Sequence, residues 1–273
     1  MKLIIRVKYD GGAYHGFQYQ PNFPTVQGTL TETASKVMGF PCLVTGCSRT
    51  DAGVHAFGYC ASVEPADEHM KCGEWCPVPV NKVDLALNSA LPADISVTGA
   101  VMAGDFFHPR YSAVSKEYVY MIHDGRCHDP FARSYAYEIR RSLSDGDISQ
   151  MNQAAARLSG MHDFSSFMAS GSKVSDTIRT LKLLRVERIS GDKLSITARA
   201  DGFLYNMVRI LAGTLLEVAY GKISSGEMEK ILDSHDRSRA GFTAPAHGLY
   251  LKSVDYGTQL SFDDEGSHRT SGF

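Results

Sequence analysis

One stretch of the chain concentrates groups able to do acid–base or covalent chemistry: Gly46-Cys47-Ser48-Arg49-Thr50-Asp51-Ala52-Gly53-Val54-His55-Ala56. A carboxylate in a tight polar turn serves as nucleophile or base, and Arg49, two residues before Asp51, is spaced to keep the acid ionised or to hold an anionic backbone. Gly53 lets a ligand approach the main chain closely. The same residues also fit a hairpin with a surface ion pair, since Asp is a natural turn residue. Asp51 and His55 invite a metal reading too. That reading fails on spacing: a four-residue interval stacks two ligands on one face of a helix, whereas His55 opens a strand-like run. No complete ligand set follows, so no metal is expected.

Two further segments carry cations among apolar or aromatic residues. Phe106-Phe107-His108-Pro109-Arg110-Tyr111-Ser112-Ala113-Val114-Ser115-Lys116-Glu117-Tyr118-Val119-Tyr120 suits either a surface on which Arg110 and Lys116 grip phosphates and an aromatic ring stacks an unpaired base, or a plain edge strand. Strand alternation puts Tyr118 and Tyr120 on one side. In Asp201-Gly202-Phe203-Leu204-Tyr205-Asn206-Met207-Val208-Arg209-Ile210-Leu211-Ala212-Gly213, Arg209 lies inside a helical stripe of Met207, Ile210, Leu211, Thr214, Leu215 and Val218. A cation there either snorkels to solvent or meets a buried anion. Arg179, Lys182, Arg185 and Arg188 recur every third residue along an expected strand and point slightly toward a nucleic-acid groove.

The elements that must position these groups follow from periodicity. Leu3–Tyr9 reads as a strand ended by Asp10-Gly11-Gly12, and Thr25 to about Met38 as a helix buried through Leu30, Ala34 and Val37. Strands near Leu43–Thr45 and His55–Val63, a helix over Asn81–Ala90 and a strand over Ile95–Met102 complete a β-α-β-β-α-β order. The order begins again with a strand over Lys116–Ile122, a helix over Ile148–Leu158, strands over Thr177–Ile189 and Leu194–Ala200, helices over Tyr205–Tyr220 and Ser225–Leu232, and a strand over Leu249–Val254. This rhythm predicts an α+β fold of two similar ferredoxin-like or RRM-like α/β sandwiches, with antiparallel or mixed sheets meeting at a central cleft. The expected units are residues 1–105, carrying the Asp51 loop, and 106–256. Residues 65–77 look like an excursion, and 257–273 like a polar tail disordered toward its end.

Composition narrows the classes. Lys and Arg number 28 against 30 Asp and Glu, a net charge of −2, so a polyanion must be met by a local basic patch. With 43% apolar and 21% charged residues the chain is neither disordered nor fibrous. No run approaches the roughly 18 apolar residues of a membrane span, and no signal-peptide pattern opens the chain, so a cytoplasmic protein is expected. The six cysteines, at 42, 47, 60, 72, 76 and 127, read as reduced thiols. Cys72 and Cys76 alone are spaced like half a metal site, which needs two further ligands, and a pair on a surface loop is the favoured reading.

At these residues the chain resembles the tRNA pseudouridine synthase A family, whose signature G-R-T-D-x-G-V-H-A stands here as Ser48-Arg49-Thr50-Asp51-Ala52-Gly53-Val54-His55-Ala56. Further matches run from residue 1 to 254: Tyr9-Asp10-Gly11, Gly16-Phe17-Gln18, Thr25-Val26-Gln27, Ala86-Leu87-Asn88, Leu91-Pro92, Phe107-His108-Pro109-Arg110, Met207-Val208-Arg209 and Thr243-Ala244-Pro245-Ala246-His247-Gly248-Leu249-Tyr250. Ser48 replaces the usual glycine, and Tyr59 stands where glutamine often follows. The resemblance implies the pseudouridine synthase fold and a homodimer that isomerises uridines at positions 38, 39 and 40 of the tRNA anticodon stem-loop without metal or organic cofactor. It also implies Asp51 as catalytic aspartate, Arg209 as the cation held against it, Tyr118 as the ring stacking on the target uracil, and Arg49 as a residue positioning the flipped nucleotide. Two other classes compete: a non-catalytic RNA-binding module, which the chain's lack of a Lys/Arg-Gly-Phe-Gly-Phe run disfavours, and a metal-dependent hydrolase using Asp51 and His55.

Overall fold

In the computed structural model, which describes residues 1–71, 75–171, 174–260 and 262, the alternating start of the chain is strand β1 (Lys2–Tyr9). Helix α1 (Val26–Met38) begins where expected because Thr25 keeps an extended backbone and its hydroxyl accepts the Gly28 N–H at 3.2 Å. It stops at Gly39, which takes the left-handed conformation at φ 81°. Strands β2 (Cys42–Gly46) and β3 (His55–Pro65) follow, then helix α2 (Val83–Asn88) and strand β4 (Ile95–Ala103). The second helix is shorter than its pattern. A single 3-10 turn precedes it, and Asn88 ends it by bonding both backbone groups of Val97 with its side-chain amide, at 2.8 and 2.7 Å.

The second half repeats the series: β5 (Ser115–His123), β6 (Tyr137–Glu138), α3 (Asp145–Ala156), β7 (Gly160–Asp163), β8 (Ile178–Ser190), β9 (Lys193–Ala200), α4 (Met207–Ala219), α5 (Met228–Ser234) and β10 (Leu249–Asp255). Helix α3 starts a turn earlier than its apolar periodicity indicates, because Ser144 and Asp147 form a reciprocal capping box ahead of the first buried residue. The short strands β6 and β7 have no counterpart in the sequence reading. Two and four residues are too few to show a period.

All ten strands form one mixed sheet, ordered β4-β1-β3-β10-β5-β9-β8-β7, with β2 on β3 and β6 on β5. With the short β6 and β7 left aside, the order within each half is the same: last strand, first, third, second. The halves meet where β10 pairs parallel with β3, through Tyr250 with His55 and Leu251 with Ala56. The same edge of β3 carries β2 farther along, from Ala61 to Pro65. β3 is therefore forked, with its first residues joined to the second half and its last to the first. Gly58 lies at the fork, where a Cβ would sit 2.6 Å from the Lys252 carbonyl oxygen. The connection from β2 back to β3, residues 47–54, is thrown out at this fork, and it carries Asp51.

Helix α4 is buried on nearly every side, and the whole apolar stripe expected for it is inside. Gly213 makes room for the following segment: a Cβ there would meet the Phe242 carbonyl oxygen at 1.9 Å. That crossing brings residues 242–246 past the start of α4 and beside Arg209. No helix among the described residues is long and apolar enough to cross a membrane. In the tail, Gly257–Gln259 form one turn and the Phe262 ring lies 5.2 Å from the Arg6 guanidinium. Residues 263–273 and Cys72, with the metal pairing considered for Cys72 and Cys76, lie outside the described residues.

Candidate active site

The loop after β2 is tied down by its backbone, which frees its side chains for a ligand. Cys47 N–H donates to the Cys60 carbonyl at 3.0 Å, and the Lys116 ammonium donates to the Cys47 carbonyl at 2.6 Å. The Tyr59 hydroxyl accepts the Ser48 N–H at 3.2 Å and donates to the Ser48 carbonyl. Phe17 N–H donates to the Thr50 carbonyl at 3.1 Å, and the Thr50 and Tyr9 hydroxyls lie 2.9 Å apart. Tyr59 stacks on Phe17 at 4.2 Å. Both departures from the family pattern thus belong to one arrangement, since Tyr59 brackets the backbone of Ser48, and the Ser48 hydroxyl lies 2.9 Å from that of Tyr118.

Asp51 is what this anchoring leaves pointing into the cleft. Its Oδ2 accepts from Arg209 Nη1 at 3.0 Å, with the carboxylate 29% and the guanidinium 17% exposed, dry enough for the charge pair to matter and open enough for a reactant to reach the acid. Oδ1 has no hydrogen bond among the described residues. Arg209 is itself fixed twice more: Nε donates to the Ala244 carbonyl at 2.8 Å and Nη1 to Asn206 Oδ1 at 2.9 Å. Of the two outcomes open to a cation in that apolar helix, it meets the anion. Arg49, two residues before Asp51, does not pair with it; it is exposed on the cleft wall and forms no ion pair among the described residues.

The cleft, about 1370 Å³, exceeds the roughly 300–1,000 Å³ of small-molecule pockets and suits a segment of a polymer. Arg49, Arg110 and Arg179 supply cations along it, and Tyr111, Tyr118 and Phe203 aromatic surface. Arg110 lies over the Tyr111 ring at 5.6 Å, and Tyr118 meets Phe203 edge-on at 5.2 Å. Tyr118 is buried and near enough to Asp51 to feel its charge; burial above all pushes its phenol above the ordinary range, so it stays protonated. Lys116, expected to grip phosphate, is buried, and burial lowers its ammonium pKa. Its observed work is to hold the Cys47 carbonyl. Burial pushes the Cys47 thiol up to about 11, so it is no competing thiolate nucleophile.

The groove reading of the β8 cations is corrected by their partners. Arg188 turns inward and grips buried Asp124 through both Nη atoms, at 3.1 and 2.9 Å. Arg185 pairs with Glu187 at 2.8 Å, and Lys182 Nζ donates to the Val114 carbonyl at 3.3 Å. Of the four, Arg179 alone lines the cleft. His55 lies at the seam, with Gly11 N–H 3.1 Å from Nδ1 and the His247 carbonyl 3.2 Å from Nε2, its ring stacked on Tyr250 at 4.7 Å. Burial lowers its pKa more than the Asp10 carboxylate, 3.0 Å from Nδ1, raises it. Both nitrogens are thereby occupied. Among the described residues no three His, Cys, Asp or Glu side chains gather as a metal ion would require. Sequence reasoning passed over Asn206 and the Ala244 carbonyl, which flank Arg209, because neither residue type carries charge.

Comparison with known proteins gives the site its context. A family model described as tRNA pseudouridine synthase matches residues 154–257. The chain is 44% identical over 254 residues to the tRNA pseudouridine synthase A of Thermoanaerobacter sp. (strain X514), covering 93% of this chain and 99% of that protein. It is 44% identical to that of Halalkalibacterium halodurans, over 91% of this chain and 90% of that one, and 42% identical to that of Bacillus subtilis (strain 168), over 94% and 99%. A chain of an H/ACA ribonucleoprotein bound to a substrate RNA containing 2'-deoxyuridine is similar at a TM-score of 0.36 and 12% identity, over 78% of this chain and 41% of that one, too slight a likeness to argue from. With an acid loop held in a cleft between two like halves, and relatives this similar along almost their whole length, the chain belongs to the tRNA pseudouridine synthase A family of isomerases and is an enzyme.

Proposed function

We propose that this enzyme isomerises uridine to pseudouridine at positions 38, 39 and 40 of the tRNA anticodon stem-loop, with Asp51 as the group that attacks the flipped-out nucleotide. The observation that carries the reading is the 3.0 Å pair of Asp51 with Arg209 in a cleft whose rim is cationic and aromatic. The reaction breaks the C1′–N1 bond of a uridine and joins C1′ to C5 of the same uracil, whose C5 loses a proton while N1 takes one up. Attack at C1′, attack at C6 and abstraction of a sugar proton are all open to the carboxylate that the guanidinium holds in place. The loop backbone is held at Cys47, Ser48 and Thr50 by Cys60, Lys116, Tyr59 and Phe17, so Asp51 is preorganised rather than collapsed onto the protein.

The base must leave its stack, at a few kcal/mol, and stacking on Tyr118 returns roughly 1–3 kcal/mol. Arg49 and Arg110 are the exposed cations that would hold phosphates, which is how a chain of net charge −2 binds a polyanion. On the same reading the enzyme acts in the cytoplasm as a homodimer without metal or organic cofactor, and residues 1–105 and 106–256 form its two units, a division supported by the shared strand order.

The test is tritium release from tRNA labelled at uridine C5 in the anticodon arm, in EDTA. Release by the wild type, none by Asp51→Asn, and retained tRNA binding by that variant are expected. Tight binding without release from any uridine would sink the reading and leave a binding module; equal loss of binding and turnover in Asp51→Asn would remove the chemical role of the acid.

A further inference from the structure

Asn206 breaks two local rules at once. It is the residue before α4, where an Asn side chain ordinarily accepts a backbone N–H of the first turn and contributes about 1 kcal/mol. Here it makes no such cap. Its backbone instead sits in the left-handed region at φ 59°, one of three described non-glycine residues with positive φ. Departures of this kind persist where the surroundings impose them, and they cluster at functional sites.

The destination of the side chain supplies the reason. Asn206 lines the cleft beside Asp51, and its Oδ1 lies 2.9 Å from Arg209 Nη1. A guanidinium has no acceptor atom, so the atom facing it must be the oxygen, and this fixes the orientation of the amide. The Nδ2 group then points away from Arg209, and its two N–H donors have no partner among the described residues. Asp51 and Arg209 together present one acceptor and one cation to a bound uracil. Asn206 adds a neutral donor of fixed direction, the complement of a carbonyl oxygen.

Resting on the reading of this cleft as the pseudouridine-forming site, we propose that Asn206 positions Arg209 through Oδ1 and reads a carbonyl oxygen of the flipped uracil through Nδ2. One amide thereby couples base recognition to the acid: the base seats fully when Oδ1 is held by the guanidinium that also faces Asp51. A donor at this point also disfavours an exocyclic amine, because two donors placed face to face leave both unpaired.

The experiment uses full-length enzyme and tRNA tritiated at C5 of the target, which is uridine, 2-thiouridine or 4-thiouridine, sulfur being the poorer acceptor. Asn206→Gly removes the amide while keeping a residue at ease with positive φ; Asn206→Asp keeps an acceptor for Arg209 and deletes the donors. Single-turnover release by both variants on uridine should fall by roughly tenfold or more, the worth of one hydrogen bond in a dry site, with tRNA binding retained. The wild type should be slowed by one of the two thio-substitutions, and the variants should be indifferent to that same substitution. A loss in the variants that is identical on all three substrates, or no loss, overturns the proposal, because a merely structural Asn would be blind to the substrate atom. Wild-type release that Asp51→Asn abolishes while both Asn206 variants match the wild type defeats this inference alone; no release by the wild type defeats the reading beneath it.

Discussion

Gly11 is forty residues from Asp51 in the chain, carries no functional group, and should nonetheless control turnover. A Cβ at this position would lie 1.9 Å from the Val54 carbonyl oxygen, 2.6 Å from its carbon and 3.1 Å from the Val54 nitrogen, all main-chain atoms that no rotamer change can move aside. Relief demands a shift of roughly 1.5 Å to restore ordinary contact distance. Val54 N–H donates to the Asp51 carbonyl at 3.2 Å, so the displaced peptide pulls on the residue that pairs with Arg209 at 3.0 Å. Misplacement of a reacting group by about 1 Å costs on the order of a hundredfold in rate. Gly11→Ala should therefore lower single-turnover tritium release by roughly that factor at saturating tRNA, with a stability loss of about 1–3 kcal/mol from overpacking and little change in tRNA binding. Gly12→Ala is the control next door: its Cβ would meet first the Asp10 carboxylate at 3.1 Å, the far end of a flexible side chain, and activity should stay near wild type. A folded Gly11→Ala enzyme turning over within about threefold of the wild type would refute the argument that this contact sets the acid's position.

Two further expectations concern the groups around the loop. In a double-mutant cycle of Ser48→Ala and Tyr118→Phe, the 2.9 Å contact between the hydroxyls should give a coupling of roughly 0.5–1.5 kcal/mol in unfolding free energy, and strict additivity would show that the contact contributes nothing. His55 has a pKa below its ordinary value because burial outweighs Asp10, so the unfolded chain takes up this proton first. Its stabilising contribution is complete above the unfolded value of about 6.5 and is lost as pH falls below it, at up to about 1.4 kcal/mol per pH unit. Denaturant unfolding between pH 8 and pH 5 should show a shallower slope in His55→Gln than in the wild type; equal slopes would mean that the ring is charged in the folded state. His108 shifts in the same direction, so the difference between the two proteins isolates His55.

What could be read from the sequence divides along physical lines. Elements whose burial has a period were legible: α4, with apolar residues on nearly every side, and β1, flanked on both edges by β3 and β4. Elements set by polar capping or too short to show a period were not, which is why α3, capped by Ser144, began early and why β6 and β7 escaped notice. The chemistry divides in the same way. Asp51 stood out because its neighbours form a dense local cluster, whereas its cation is 158 residues away, and local spacing offered Arg49 in its place. Lys116 had the right charge, but burial gave it an architectural partner, and the evenly spaced cations of β8, which alternation splits between two faces, went to the cleft, the Val114 carbonyl, Glu187 and Asp124.

The separation of Asp51 and Arg209 also explains why the two halves must act as one body at their seam. Asp51 hangs from the fork of β3, and Arg209 from a helix that the segment entering β10 crosses at Gly213. The parallel pairing of β3 with β10 comprises two residue pairs, yet it joins the strand that follows the acid to the strand that follows Ala244, the residue whose carbonyl holds Nε of Arg209. His55 and Tyr250 are one of those pairs, stacked at 4.7 Å and bonded to Gly11 on one side and His247 on the other. Any loosening there separates carboxylate from guanidinium before it unfolds either half. Activity should thus be lost at lower denaturant than the bulk of the secondary structure, and coincident loss of turnover and far-ultraviolet dichroism in urea would show instead that seam and halves melt as one cooperative unit.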